Sequence, residues 1–367
     1  MEVKCSHCGK EVTLTPQAYK CFCGGAWELF EKNEFDPNLI DKNCYSIFRY
    51  KKFLGLDFNE PVVDLGAGWT PIVKKNVFGS EVLLKVDFLT PSGSYKDRGT
   101  CVIINILAHQ GVKMIVDDSS GNAGAAMSAY ANAAGMSVDI FVPADCSPAK
   151  KAQIAVYGST IHLVEGERIC ATEAAVAMVD DEHVYASHAY HPGFILGQQT
   201  VAWELWEQLS GRLPDAIIIP VAQGGNFLGI WYGFRRLLHA GIIQKIPKLI
   251  AVQSANVCPI VNAFGSGEKT VKAVKPAYTI AEGVAVTNPV RGERILQALY
   301  ETGGFAVAVN DHDVFEAQKE LAKKGIWIEV TSATAIAALV EARGKLRNDE
   351  TIMISLTSSG LKTMVIQ

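Results

Sequence analysis

Thr90-Pro-Ser-Gly-Ser-Tyr-Lys-Asp-Arg-Gly99 is the stretch on which the reading of this chain turns. It places Lys96 in a loop of small residues, after the apolar strand Val82–Val86 and at the start of an apolar helix through Cys101–Leu107. Ser92, Gly93 and Ser94 let the backbone approach a ligand closely. A lysine is a weak nucleophile at neutral pH unless burial, neighbours or a helix N-terminus disfavours its charge. Two further loops follow predicted strands in the same way: Ser119-Ser-Gly-Asn-Ala-Gly124 and Ala222-Gln-Gly-Gly-Asn226. Asn122 offers an amide suited to a ring hydroxyl or a carboxylate, and the helix start behind it welcomes anions. Consecutive amides in the later loop can form a phosphate nest. Each loop alone has a plain alternative: a solvated lysine, a tight strand-to-helix turn. The set in this order points to a lysine that binds a cofactor gripped by two backbone-rich loops.

Outward from these loops, short apolar runs alternate with longer amphipathic ones. Strands are predicted at Val82–Val86, Lys113–Val116, Ser137–Val142, Thr160–Val164, Ala216–Pro220, Leu249–Val252, Phe305–Val309 and Thr351–Leu356. Helices are predicted at Gly121–Ala134, Gly193–Leu209, Asp311–Lys323 and Ser332–Arg343, with a capping box at Asp313 and Glu316 and C-terminal caps at Gly135 and Gly325. Alternation of this kind marks parallel sheet with crossover helices, and so many strands predict two α/β units with a site between them. The last strand runs into Thr357-Ser-Ser-Gly360, where a hydroxyl could meet a cofactor's ring nitrogen; ordinary helix capping is the competing reading.

The composition fits a soluble globular protein. Of 367 residues, 49% are apolar and 20% charged, which excludes a disordered chain; the net charge of -4 argues against a nucleic-acid surface. No apolar run reaches the length of a membrane span, and Met-Glu-Val-Lys-Cys5 does not read as a secretion signal. A cytoplasmic location, with no membrane and no nucleic-acid partner, is expected.

Residues 1–30 form a cysteine-rich module, followed by the polar linker Glu31–Asn43. Cys5, Cys8, Cys21 and Cys23 make two close pairs, as four thiolates around a tetrahedral zinc require, with His7 as a spare ligand. A structural role is expected, because four thiolates leave no open position; a metal-free knob is the alternative. Cys44, Cys101, Cys146, Cys170 and Cys258 read as buried thiols in a reducing compartment.

Together the lysine loop, the Ser-Gly-Asn loop, the glycine loop and Thr357-Ser-Ser-Gly-Leu-Lys362 resemble fold-type II pyridoxal-phosphate enzymes, threonine synthases in particular. The similarity runs from Leu65-Gly-Ala-Gly-Trp-Thr-Pro71 to Lys362 and includes Gly197-Gln198 with Thr200, Ala251-Val-Gln253 and Glu329-Val-Thr-Ser-Ala333. It implies an α/β fold of two domains with parallel-rich twisted sheets: a large domain from 31–95 and 190–367, a small one from 96–189, and a zinc-ribbon-like module at 1–30. It further implies pyridoxal 5'-phosphate, with Lys96 as the Schiff-base lysine, Asn122 on the ring hydroxyl, Ala222, Gln223, Gly224, Gly225 and Asn226 around the phosphate, and Thr357 near the ring nitrogen. Ser119, Ser120, Gly121, Ala123, His188 and Gln198 would face a small amino-acid substrate. The implied activity belongs to amino-acid biosynthesis: a lyase converting O-phosphohomoserine and water to threonine and phosphate, in a possible homodimer.

Two departures bear on the substrate. Where threonine synthases carry a hydroxyl residue after the loop asparagine, this chain has Ala123; where they carry an arginine before the Gly-Gln pair, it has Phe194. Losing both weakens phosphate binding, since charge-assisted bonds contribute about 1.5–3 kcal/mol each. His188, His191 or Arg168 would have to compensate. A serine or threonine dehydratase, or a cysteate-synthase-like replacement on a phosphorylated amino acid, are the alternative enzymes. A partner-docking ribbon on an inactive scaffold, exposing Phe22 and Trp27, is the alternative outside enzymes.

Overall fold

A computed structural model describes residues 1–30, 34–56 and 58–363. The first thirty residues form a small antiparallel sheet of β1 (Glu2–Cys5), β2 (Glu11–Thr13) and β3 (Trp27–Leu29), ordered β2-β1-β3. Ligand atoms of Cys5, Cys8, Cys21 and Cys23 all lie within 4.8 Å of one another at its end. Of the linker read at 31–43, residues 31–33 lie outside those described; beyond them the chain makes a short 3-10 turn at Pro37–Leu39.

The rest of the chain builds two sheets. A hairpin, β4 (Ile72–Val77) and β5 (Ser80–Val86), turns at Phe78 and Gly79, both at positive φ (48° and 77°), the backbone that a two-residue hairpin turn demands. Next come β6 (Met114–Asp117), β7 (Ser137–Pro143), β8 (Thr160–Val164) and β9 (His183–Tyr185), an all-parallel sheet ordered β8-β7-β6-β9. Then β10 (Ala216–Pro220), β11 (Lys248–Ser254), β12 (Phe305–Val309) and β13 (Ile352–Leu356) join the hairpin in a six-stranded sheet ordered β12-β11-β10-β13-β5-β4. Only β4 runs antiparallel in it. β10 and β13 are buried along their whole length, as central strands covered on both faces must be. Among the described residues no helix is long and apolar enough to cross a membrane.

The helices Lys96–His109, Pro192–Gln208 and Gly225–His239 pack on one another between the sheets. They cross at glycines: a Cβ on Gly197 would stand 2.2 Å from the Arg98 carbonyl oxygen, and one on Gly229 would stand 2.2 Å from the Gln198 Cβ. Close crossing lets Arg98, wholly buried, reach a charge cluster. It donates to Asp87 (2.6 Å) and to Glu204 (2.5 and 2.8 Å), and Lys85 also reaches Glu204 (2.8 Å). Two cations and two carboxylates cancel, which is how charge survives in so dry a place.

Differences from the sequence reading are local. The helix Asp311–Lys323 is capped three residues before the expected box: the Asn310 side chain accepts from the Asp313 amide (2.9 Å) and donates to its carboxylate (2.8 Å). Strand β12 ends at Val309, so the helix must start at once, and Glu316 sits inside it pairing with Lys319. Ser332–Arg343 is two short helices, Val330–Ala337 and Leu339–Lys345. Of the five scattered cysteines only Cys101 is fully buried; Cys44, Cys146, Cys170 and Cys258 are half-buried, because each lies near a loop or a helix flank. Gly135 and Gly325 adopt the left-handed backbone of C-terminal caps (φ 74° and 84°).

Burial alone would raise the Glu204 carboxyl, but Arg98 and Lys85 outweigh it and hold the group at about 2, against 4.5 when unfolded. A depressed acid stabilises the fold above its unfolded value and loses that contribution as pH falls toward the folded one. Acid titration of stability should therefore show a loss below about pH 4.5 that is absent in Glu204→Gln. Urea denaturation at neutral pH should find Glu204→Ala destabilised by about 3–5 kcal/mol, since it leaves buried cations unpaired.

Candidate active site

In the six-stranded sheet β10, β13 and β5 are neighbours, and their carboxyl ends run into three of the four loops read from the sequence. The fourth follows β6 of the facing sheet. Ligands in open α/β sheets bind at such ends.

Lys96 is the first residue of its helix and half-buried, not cast into solvent. Its Nζ lies 5.0 Å from the centre of the Tyr95 ring and 5.1 Å from that of Phe194. The terminal segment is clipped to this loop. Tyr95 donates its amide to the Thr357 carbonyl (2.9 Å), Ser94 bridges Ser358, Ser359 donates to the Gly93 carbonyl (3.0 Å), and Lys362 Nζ donates to the Ser92 carbonyl (2.6 Å). Burial depresses the Lys362 amine to about 8, against the pull of Glu329 and Asp97. Thr357 is buried, its amide donating to Ser332 Oγ (2.9 Å).

Asn122 opens the helix Asn122–Ala133, and its amide donates to Glu329 Oε2 (2.7 Å); the Glu329 backbone amide donates in turn to the Ser358 carbonyl (3.1 Å). That chain of bonds ties the Ser119–Gly124 loop to the end of β13. Ser119 and Ala123 are buried, Ser120 and Gly121 half-buried, and a Cβ on Gly124 would stand 1.9 Å from the Ser119 carbonyl oxygen. In the third loop Gly224 takes the left-handed backbone (φ 85°) and caps the helix Gly225–His239. Gln223 accepts from the Val290 amide (3.0 Å), and Ala222 is half-buried. Buried Asn226 holds Ser355 Oγ (3.4 Å) through its amide nitrogen.

Gln198 spends its amide on the Tyr95 carbonyl (3.0 Å). His188 stands edge-on to Phe194 (5.6 Å between ring centres), with Nδ1 buried and unpartnered. Burial, then the charges of Lys96, Arg168 and Arg291, keep its imidazole neutral, well below its usual range. Arg168 pairs with Asp118 (3.0 Å), and His191 turns inward to cap its own helix, accepting from the Gly193 amide (3.1 Å). Three further residues shape the site. Glu329 lies in the resembling segment 329–333 and Phe194 at a departure from the resemblance, but neither segment tells what its side chain meets. Asp117 looks like a strand end, yet both its oxygens are buried without a hydrogen-bond partner, and burial followed by the Asp118 charge raises its carboxyl to about 7.

These groups fit a phosphorylated aromatic aldehyde. A reachable amine, the amides of a helix start and the buried, unpartnered oxygens of Ser94, Ser358 and Asn226 lie at or just beyond neighbouring strand ends of one sheet. The family model for pyridoxal-phosphate-dependent enzymes matches residues 63–358. This chain belongs to that family.

Within the pyridoxal-phosphate-dependent enzymes the chain is threonine-synthase-like. It is 32% identical to the threonine synthase of Methanocaldococcus jannaschii, over 98% of this chain and 92% of that one. Against the threonine synthase of Methanosarcina acetivorans the identity is 30% with the same coverage. An L-serine ammonia-lyase from the fungus Rhizomucor miehei shares the fold, with a TM-score of 0.70 at 23% identity over 79% of this chain and 93% of that one.

Phe194 is the sharpest local peculiarity of the site. Its ring fills the space that a Cβ would need on Gly99 (2.3 Å) and on Gly225 (2.7 Å), so it fixes both loops at once. Gly225→Ala should cost about 1–3 kcal/mol through overpacking. Adding Phe194→Leu should recover part of the loss, because neighbours that share one space are not additive. Denaturation of the two single variants and the double variant measures this; full additivity would detach Phe194 from the loop.

Proposed function

We propose that this protein is a pyridoxal-phosphate-dependent lyase of threonine synthase type, converting O-phosphohomoserine and water to threonine and phosphate. The observation that carries this reading is near full-length similarity to threonine synthases, with Lys96, the 222–226 loop and Thr357 on loops at adjoining strand ends and Asn122 tied to them through Glu329. In this reading Lys96 Nζ would hold the cofactor's aldehyde and Asn122 its ring hydroxyl. Amides of Ala222–Asn226 would take its phosphate, and the Thr357 hydroxyl would serve its ring nitrogen. When bound, the cofactor supplies an electron sink for the carbons of an attached amino acid. With the cofactor in place, Lys96 Nζ would remove and return substrate protons. Phe194 and Tyr95 wall the amine and keep water from it. Ser119, Ser120, Gly121 and Ala123 offer backbone to the substrate carboxylate, beside His188 and Gln198. The same reading places the protein in the cytoplasm as a homodimer, divides the chain into a large domain (31–95 and 190–367) around a small one (96–189), and assigns a structural zinc to Cys5, Cys8, Cys21 and Cys23. Mutual closeness of those four sulfurs supports the metal.

One observation favours a second reading. Ala123 is buried and offers no side-chain donor, Phe194 is apolar, Arg168 is engaged by Asp118, and half-buried His188 is neutral. A site so poor in cations suits a substrate without a γ-phosphate, as in a serine or threonine dehydratase, or a β-replacement of the cysteate-synthase kind.

Purified protein should be yellow, and Lys96→Ala should lose that absorbance band. A chain colourless even after incubation with pyridoxal phosphate would refute every version of this proposal. Phosphate release from O-phosphohomoserine is expected to exceed 2-oxo acid formation from serine and threonine. The opposite ranking would establish the dehydratase.

A further inference from the structure

The cysteine module touches the back of the active-site wall at a few defined places. Arg291 makes one of these contacts. It is buried just ahead of the helix Gly292–Thr302, and its guanidinium donates to three backbone carbonyls: Trp27 of the module (2.9 Å), Tyr190 (2.9 Å) and Ala189. Trp27 is the register partner of Cys5 in the module's sheet, so the first carbonyl is one strand away from a candidate metal ligand. Ala189 and Tyr190 directly follow His188. On the other side Val290, adjacent in the chain, donates its amide to Gln223 of the glycine loop (3.0 Å).

A second joint lies beside it. Tyr19 of the module packs edge-on against Tyr185 (5.0 Å) and Tyr190 (5.8 Å), and the Tyr185 hydroxyl donates to Asp118 (2.9 Å), next to the Ser119 loop. Between module and helix the surfaces part into a cleft of about 1030 Å³ lined by His7, Cys23, Gly25 and Arg294 among others. Further contacts run alongside: Glu28 pairs with Arg294 (2.8 Å), Gln17 donates to the Asp181 carbonyl (3.4 Å) and Gln110 donates to the Leu14 carbonyl (3.2 Å), while the Arg291 joint bonds to the 188–191 wall itself. A planar fork of fixed donors suits this joint, since a guanidinium can satisfy several carbonyls of different segments in one plane.

We propose that Arg291 is a positioning residue through which the cysteine module holds the 188–191 wall and the 222–226 loop in place, so that a metal held by Cys5, Cys8, Cys21 and Cys23 tightens cofactor binding. Folding of so small a module depends on its metal. Without it, β1 and β3 lose their register, the Trp27 carbonyl leaves Arg291, and the guanidinium no longer fixes Ala189, Tyr190 and the neighbouring Val290–Gln223 bond. Linkage makes the effect reciprocal: bound cofactor must tighten the metal by the same factor. This inference rests on the metal and cofactor readings given above.

The test uses the full chain, zinc-loaded and chelator-treated, as wild type and as Arg291→Lys. Amide hydrogen exchange of 186–194 and 222–226, read without cofactor, reports the wall directly. Spectrophotometric titration with pyridoxal phosphate reports affinity. Zinc removal from wild type should raise exchange in both segments and weaken pyridoxal phosphate binding roughly five- to tenfold. In zinc-loaded Arg291→Lys both changes should already be present, with little added by chelation. The proposal is overturned if chelation loosens residues 1–30 alone, if Arg291→Lys matches wild type, or if elemental analysis and titration find no zinc binding. Should the lysine variant fail to fold by circular dichroism, the wild-type comparison still decides. A chain that refuses pyridoxal phosphate altogether sinks the proposed activity, while the exchange result judges the coupling on its own.

Discussion

The position of Lys96 depends on the burial of its neighbour Arg98. Two residues apart on a helix point to nearly opposite sides. Once Arg98 is locked inward by Asp87 and Glu204, Lys96 has to project the other way, where its Nζ meets the Tyr95 and Phe194 rings. Because the cluster draws Lys85 and Asp87 from one strand and the segment after it, Arg98 from the helix start and Glu204 from a helix a hundred residues on, it also fixes where those elements meet. Charge neutrality is the condition for this arrangement: each carboxylate is there because a cation is. An ion cluster of this sort is a costly means of stabilising a fold and an effective means of giving one helix a single orientation.

The site is closed from the far end of the chain. Residues 357–362 hydrogen-bond to 92–95 across more than two hundred and fifty positions, and Glu329 carries the connection on to Asn122. The lysine loop, the Asn122 loop and the segment after β13 are thus joined in one hydrogen-bonded chain, complete only when β13 docks between β10 and β5. Contacts of such separation are slow to form. Packing beside it is tight where glycine allows it: at Gly225 the Phe194 ring occupies the volume that any side chain would need.

Electrostatically the cleft is divided. The large-sheet side presents amides of a helix start, suited to an anion. The small-sheet side presents Asp117 and Asp118, the first unpaired and raised toward neutrality by burial, the second engaged by Arg168 and Tyr185.

Much of this was legible in the sequence. Periods of two and of three to four in apolar residues mark strands and helices, and small residues after strands mark ligand loops; both signals are local, and the four loops and most elements followed from them. The cysteine spacing likewise placed four sulfurs together before any fold was known. What local pattern does not contain is the partner across space. Nothing around Glu329 tells that it meets Asn122, nothing around Arg291 that it holds Trp27, and nothing around Asp117 that it lacks a partner. Asn310 took the cap expected at Asp313 because the preceding strand ends where it does. These are decided by which strand ends lie side by side, a matter of sheet order and helix crossing, and only the folded chain settles it.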